Sequence, residues 1–207
     1  MHYIETGLEI DQKGNIRPKQ GGAGKYHGDV ASGYDAKREE SPKWKVEQSI
    51  VERMLEDMAS GNWVLDVPCG TGRFFPFYEE RGFVIRGIDA SADMLQIASA
   101  KITDKMKARF AQGDVRELDL ADKSVDASVM VRLTRWLSPE DCQKAFTELQ
   151  RVTRDRIILT TRIEHQKPEL ARPVGLFLDV LGDDWEMKQN AEGAEPAYRI
   201  LMFKRKV

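Results

Sequence analysis

The stretch Val64-Leu65-Asp66-Val67-Pro68-Cys69-Gly70-Thr71-Gly72-Arg73-Phe74 constrains the fold more than any other part of the chain. A short apolar run ends in an acid. A turn with two glycines follows, then a segment able to start a helix. Apolar runs of this length bounded by turn signals read as buried strands of a parallel sheet. Glycines directly after such a strand leave no Cβ between the backbone and a ligand. The pattern implies a nucleoside-type ligand held at the exit of a buried strand.

The flanking sequence supplies the rest of a sheet. Ser41-Pro42 is a helix-start signal, with serine as cap and proline at the first helical position. Val46, Ile50, Met54 and Met58 recur at helical spacing, with Val51 and Leu55 beside them. This predicts a helix near 42–59, ended by Gly61-Asn62, before a first strand at 63–67. Helices are expected over 72–81, 91–100 and 138–150, and largely over 168–181. Strands are expected over 83–89, 107–112, 124–131, 156–161, 184–189 and 197–204. Strand–helix alternation means a parallel sheet covered on both faces, and the closing hairpin adds an antiparallel strand.

The boundary falls near residue 40, between an N-terminal arm (1–40) and an α/β body (41–207). In the arm, Leu8-Glu9-Ile10 and Asn15-Ile16-Arg17 flank Asp11–Gly14 like a small hairpin. Gly21-Gly22-Ala23-Gly24-Lys25 invites a phosphate-loop reading. It fails because Lys19 replaces the first glycine and Tyr26 the final Ser or Thr, and no apolar strand precedes it.

The 207 residues carry a net charge of −2, so no global positive field draws the chain to nucleic acid or an acidic membrane. Cys69 and Cys142 form neither a metal spacing nor a disulfide framework, and no metal is expected. No apolar run approaches the roughly 18 residues that span a bilayer. A cytoplasmic protein without a membrane partner is the expectation.

Ligands of open α/β sheets bind outside the carboxyl ends of the strands. Asp66, Asp89 and Asp114 each close an expected strand. A carboxylate at Asp89 can accept two hydrogen bonds from a ribose diol, Asp114 can accept from an adenine amine, and Asp66 can face an ammonium group. Each acid alone also suits a helix cap or a solvated turn; three in register with the strands point to a site. A dinucleotide fingerprint, G-x-G-x-x-G, needs a small residue three after Gly72, where Phe75 stands. The loop therefore suits a ligand without a pyrophosphate.

These motifs resemble the class I S-adenosylmethionine-dependent methyltransferases. Asp66 to Gly72 resembles the family's glycine-rich first motif, with Pro68 in place of its usual first glycine. Gly87-Ile88-Asp89-Ala90-Ser91-Ala92-Asp93-Met94-Leu95 resembles the acidic second motif, and Gly113-Asp114-Val115 the third. Ser124 to Ala127, leading into Val129 to Leu133, resembles the fourth strand and its exit. The resemblance covers about residues 42–207. It implies a Rossmann-like three-layer sandwich with a seven-stranded sheet in order 3-2-1-4-5-7-6, strand 7 antiparallel. It implies that Asp66, Pro68, Cys69, Gly70 and Gly72 cradle the methionine end of S-adenosylmethionine. Asp89 would hold the ribose, Ala90 and Met94 would pack on the adenine, Asp114 and Val115 would contact it, and Arg132 would lie near the sulfonium. The product would be S-adenosylhomocysteine. Methyl transfer to a small-molecule acceptor is the expected function. A non-catalytic protein or partner subunit that keeps the cofactor site is the alternative, and different S-adenosyl chemistry on the same fold is a third reading.

In place of the Asn/Asp-Pro-Pro-aromatic run of base-methylating relatives, the chain has Arg132-Leu133-Thr134-Arg135-Trp136-Leu137, and it lacks the histidine that many small-molecule members carry there. Arg73, Arg132, Arg135 and Arg162 gather at expected strand exits. Their planar forks suit an anionic acceptor, or pair with acids on neighbouring loops. Arg135, Trp136 and Arg162 are candidate acceptor contacts. Trp136 is alternatively core. Tyr34 is a lid candidate or an exposed loop residue. His165 either reaches the acceptor or lies on the surface. Arg135, Tyr34 and His165 are the candidates for a catalytic role. Trp44, Trp63, Trp185 and Cys142 read as core.

Overall fold

The structure is a computed structural model that describes residues 8–10, 16–18, 41–166 and 168–206. Its sheet has seven strands: β1 (Trp63–Asp66), β2 (Val84–Asp89), β3 (Ala108–Gln112), β4 (Val125–Met130), β5 (Thr153–Arg162), β6 (Trp185–Glu192) and β7 (Tyr198–Arg205). Their order is β3-β2-β1-β4-β5-β7-β6, the order expected. The first five pair in parallel, whereas β7 runs antiparallel to both β5 and β6. Leu8–Ile10 and Ile16–Pro18 pair antiparallel as a separate two-stranded ladder.

Alternation along the strands gives the sheet two apolar faces. Val64, Ile85, Val129 and Ile158 point to one face, where helices α1 (Pro42–Arg53), α2 (Phe75–Glu80) and α3 (Ala92–Lys101) lie. Leu65, Ile88, Met130, Ile157 and Leu159 point to the other, under α4 (Pro139–Val152) and α5 (Gly175–Leu178). On α4, Cys142, Phe146 and Leu149 are fully buried one helical turn apart, and Ser138 caps the first turn by accepting from the Asp141 N–H at 3.1 Å.

Several expectations need correction. Helix α1 stops at Arg53 rather than near 59, and Met54 to Asp57 form turns. Arg156 explains the stop: its buried guanidinium donates to the Met54 carbonyl at 2.8 Å and pairs with Asp57. It thereby satisfies backbone that a further helical turn would have used. Met54, Leu55 and Met58 are still buried, from that turn.

The buried face of α1 is also rotated. Trp44, Glu47, Ile50 and Val51 face inward and Val46 is exposed. Ser41 sits at the cap position but makes no side-chain cap bond.

Helix α2 begins at Phe75, not residue 72, because Gly72 and Gly70 carry positive φ in the preceding turn.

Residues 168–181 hold only a 3-10 turn (Pro168–Leu170) and the four-residue α5. Pro173 lacks an N–H, and the buried Arg172 guanidinium is bonded to the Leu137 and Ala171 carbonyls. Those ties hold the segment against the sheet as loop.

Candidate active site

The carboxyl ends of β1, β2 and β4, together with the loop after β3, open onto one cleft. Asp66, Pro68, Cys69, Gly70, Asp89, Ala90, Met94, Asp114, Val115 and Arg132 all line it. Trp44, Thr71, Arg73, Arg116 and Trp136 line it as well. The peptide bond between Val67 and Pro68 is cis. Beyond it the loop folds back on the sheet: the Cys69 N–H donates to the Ile88 carbonyl at 2.9 Å, and the Gly70 N–H donates to Asp89 Oδ2 at 2.8 Å.

Asp89 therefore does structural work in the site it lines. Its Oδ1 accepts from the Ser91 N–H at 2.8 Å, which fixes the start of α3. Each carboxylate oxygen has a second lone pair, so two further acceptor positions are left for a diol. Burial raises the Asp89 pKa, against the opposing pull of the Ser91, Gly70 and Ala90 N–H groups.

The two glycines of the loop differ. Gly70 has φ +54°, and a Cβ built on it would meet nothing within 4 Å. Its open side belongs to the cleft. Gly72 has φ +74°, but a Cβ there would lie 2.5 Å from the Phe75 ring. It is absent from the cleft lining and serves close packing instead. The structure therefore does not bring Gly72 to the ligand side, contrary to its expected contact.

Asp66 lies at the back of the cleft, 2% exposed, and its Oδ2 has no hydrogen-bond partner. Burial first, and the nearby Asp89 charge second, push its carboxyl well above the usual range. The buried Tyr78 hydroxyl approaches closely enough to favour the charged form, yet makes no hydrogen bond of ordinary geometry.

Asp114 is half exposed and gripped by Arg116, whose Nε donates to both carboxylate oxygens at 2.9 and 3.0 Å. That fork holds the Asp114 carboxyl below its usual value. Arg116 also reaches Asp141 of α4 at 3.0 Å.

Three of the four arginines at strand exits pair with carboxylates. Arg73 and Arg132 share Glu47 of α1, with Arg132 Nε at 2.8 Å from Oε1. Arg73 stacks its guanidinium 3.9 Å from the Trp44 ring centroid, with Arg132 at 5.2 Å from the same centroid. Arg132 also has φ +61°, rare for a non-glycine residue, and its N–H is fixed at 2.8 Å by Thr160 Oγ1. Arg162 pairs with Glu195 of the β6–β7 loop at 2.8 Å. Arg135 is exposed and stacks 4.6 Å over Trp136.

Beside the first cleft lies a second, lined by Lys43, Arg132, Arg135, Trp136, Thr160, Arg162, Glu195 and Tyr198, among others. Arg132 and Trp136 line both. All three candidate acceptor contacts, Arg135, Trp136 and Arg162, thus meet in one place. His165 is exposed and lines neither cleft, and Tyr34 lies outside the described residues. Among the described residues no cluster of three or more His, Cys, Asp or Glu could hold a metal, and no helix is long and apolar enough to cross a membrane.

Sequence reasoning missed Glu47. It stands three residues after Trp44, on the helical face that continues through Ile50, so its position was legible from period. Its burial was not, because its partners lie far along the chain.

A family profile described as a methyltransferase domain matches residues 64–156. Phosphatidylethanolamine N-methyltransferase of Cereibacter sphaeroides is 32% identical over 151 residues, 69% of this chain and 73% of that protein. The chain belongs to the class I S-adenosylmethionine-dependent methyltransferases. Within that family, malonyl-[acyl-carrier protein] O-methyltransferase of Pectobacterium atrosepticum is 33% identical over 112 residues, 53% of this chain and 42% of that protein. The chain spans 40–42% of the length of the first curated relatives it matches. The methyltransferase fold is common to more distant proteins. Magnesium protoporphyrin IX methyltransferase from Synechocystis PCC 6803, solved with bound SAM, superposes with a TM-score of 0.71 at 15% identity, over 89% of this chain and 95% of that one.

Proposed function

We propose that the chain binds S-adenosylmethionine in the first cleft and transfers its methyl group in line to a small-molecule acceptor held in the second. The observation that carries this reading is Gly70. Its open, positive-φ backbone stands beside the unpartnered Asp66 Oδ2 and the two spare acceptor positions of Asp89. Side-chain-free space, a buried acceptor atom and a diol-sized carboxylate are what an amino-acid-bearing nucleoside requires. The residues fit the cofactor.

Bound there, S-adenosylmethionine would supply a methyl group already activated by positive sulfur. The chain's own residues bind and orient. Asp89 would hold the ribose, and Ala90, Met94 and Val115 would flank the adenine. Gly70 and Asp66 would receive the methionine end. Asp114, pinned by Arg116, offers the rim of the adenine side. Trp44, Arg73 and Arg132 wall the cleft on the side of α1 and would shield the reacting face from that side. Catalysis of this kind rests on proximity and alignment, and a general base is needed only where the acceptor must lose a proton.

The named acceptors of the relatives are malonyl-[acyl-carrier protein] and phosphatidylethanolamine. They differ in chemistry, so neither is carried over. Calorimetry with S-adenosylmethionine and S-adenosylhomocysteine tests the binding half. Dissociation constants tighter than about 1 mM are expected, and failure of both ligands to bind would remove the reading. Transfer of a labelled methyl group across a panel of small acids, amines and phenols tests the catalytic half; binding without any product would point to the non-catalytic alternative.

A further inference from the structure

The second cleft carries more positive charge than its own acid answers. Lys43 from the first turn of α1, Arg162 from the end of β5, and Arg132 and Arg135 from the exit of β4 line it. Glu195 is the carboxylate in that lining. It accepts from Lys43 and, at 2.8 Å, from Arg162, so one side chain of the β6–β7 loop is clasped by cations from two other elements. Arg132 has its own counter-ion in Glu47, while among the described residues Arg135 pairs with no carboxylate. Trp136, with Arg135 stacked 4.6 Å over its ring, joins this cleft to the first.

We propose that the second cleft is a subsite for a carboxylate on the acceptor, and that Glu195 is its internal stand-in. In the free protein the Glu195 carboxylate occupies the Lys43 and Arg162 donors. An acceptor carboxylate takes those donors over, with Arg135 as the further donor, and its ring or chain lies along Trp136 toward the first cleft. Arginine forks match carboxylate geometry, and exchange of one carboxylate for another leaves the number of charge-assisted bonds unchanged. The cost of binding is then small and the selection against neutral acceptors is strong, because a neutral group cannot replace Glu195 at its donors. The same two cations hold Glu195 down to about 2, so the stand-in stays charged at any working pH. No covalent step is involved.

This inference rests on the methyltransferase reading, and its test separates the two. Benzoate, benzamide and phenyl phosphate are titrated by calorimetry and ligand-observed NMR into the full chain, with S-adenosylhomocysteine titrated in parallel. Benzoate is expected to bind, and benzamide at least about tenfold more weakly, the loss of roughly one charge-assisted bond. Glu195→Gln should tighten benzoate about fivefold or more, because an internal competitor that lowers the competent fraction has been removed. Arg135→Gln should weaken it. Equal binding of benzoate and benzamide, or no tightening in Glu195→Gln, overturns the subsite. Tighter binding of phenyl phosphate than of benzoate overturns the carboxylate assignment. S-adenosylhomocysteine binding without benzoate binding removes this inference alone; benzoate binding without S-adenosylhomocysteine binding removes the methyltransferase reading instead.

Discussion

Glu47 of α1 accepts a hydrogen bond from the Tyr198 hydroxyl of β7, 151 residues further along the chain. Its other oxygen receives Arg73 and Arg132. One buried carboxylate thereby ties the first helix to the glycine loop, to the exit of β4 and to the far half of the sheet. Burial, with the Glu47 charge beside it, raises the Tyr198 pKa, so the phenol remains a donor.

Removal of that carboxylate should be costly. Glu47→Ala leaves the nearly buried Arg73 without its acid, and breaking a buried ion pair from one side costs about 3–5 kcal/mol. In a domain of this size that is a fall in Tm of roughly 6–20 °C. Tyr198→Phe deletes one hydrogen bond and should cost about 1 kcal/mol. Thermal unfolding of the two variants checks the order; equal losses would mean that the hub is not where the stability lies.

Gly70 and Gly72 should fail differently. Gly72→Ala must displace the Phe75 ring and should lower stability. Gly70→Ala meets nothing and should cost only the roughly 1–2 kcal/mol of a left-handed non-glycine residue. Yet its methyl group enters the cleft, and Gly70→Val intrudes further, so calorimetric affinity for S-adenosylhomocysteine should fall more in the Gly70 variants than in Gly72→Ala, after correction for the folded fraction.

Asp89→Ala should separate anchoring from ligand contact. It strands the Gly70 and Ser91 N–H groups, at a cost of about 1–3 kcal/mol each if they are left without water. Asp89→Asn keeps one acceptor oxygen and can satisfy one of the two. Expected is graded loss of S-adenosylhomocysteine affinity, wild type above Asn above Ala, read by calorimetry; a reversed order of Asn and Ala would speak against the carboxylate's double role.

The raised Asp66 pKa gives a pH dependence of definite sign. An acid whose folded pKa lies above its ordinary 3.8 binds its proton more tightly in the folded state. Its contribution to stability is complete below 3.8 and is lost as pH rises through the folded value. Asp66→Asn removes that loss. Urea unfolding at pH 5, 6, 7 and 8 should show the variant gaining on the wild type as pH rises. Carboxylates with lowered pKa, such as Asp114 and Glu148, act oppositely, but they are common to both proteins and cancel.

The sheet was legible because its signals are local. Most of the parallel strands carry a short apolar run with a turn after it, the alternation of strands and helices made the sheet parallel, and the strand order came from the family resemblance. The cleft was legible where strand ends, glycines and acids coincide in sequence, as at Asp66 to Gly70 and at Asp89. What escaped depends on partners distant in the chain. Helix α1 ends at Arg53 because Arg156 takes the Met54 carbonyl 102 residues back. Strand β5 begins at Thr153, ahead of the strand expected from Arg156 and through the charged Arg154 and Asp155, because Thr153 pairs with Val125. Glu47 is buried because Arg132 and Tyr198 come to it, and no window of neighbouring residues contains them. Gly72 was read as a ligand-side glycine because spacing cannot distinguish space for a ligand from space for Phe75.

Cys69 sits in the same loop as Gly70, 5% exposed, with burial pushing its thiol well above the ordinary range. The second thiol, Cys142, is fully buried and raised to about 11 by the same cause. Thiolate is the reactive form, so both are silent while the fold is closed. Modification by a maleimide then becomes a stopwatch for opening: Cys69 reports local parting of the loop from β2, and Cys142 reports loss of the α4 face. A cofactor that bridges Gly70 and Asp89 should slow the first clock and leave the second unchanged at low denaturant, which makes occupancy of the cleft measurable with no acceptor present.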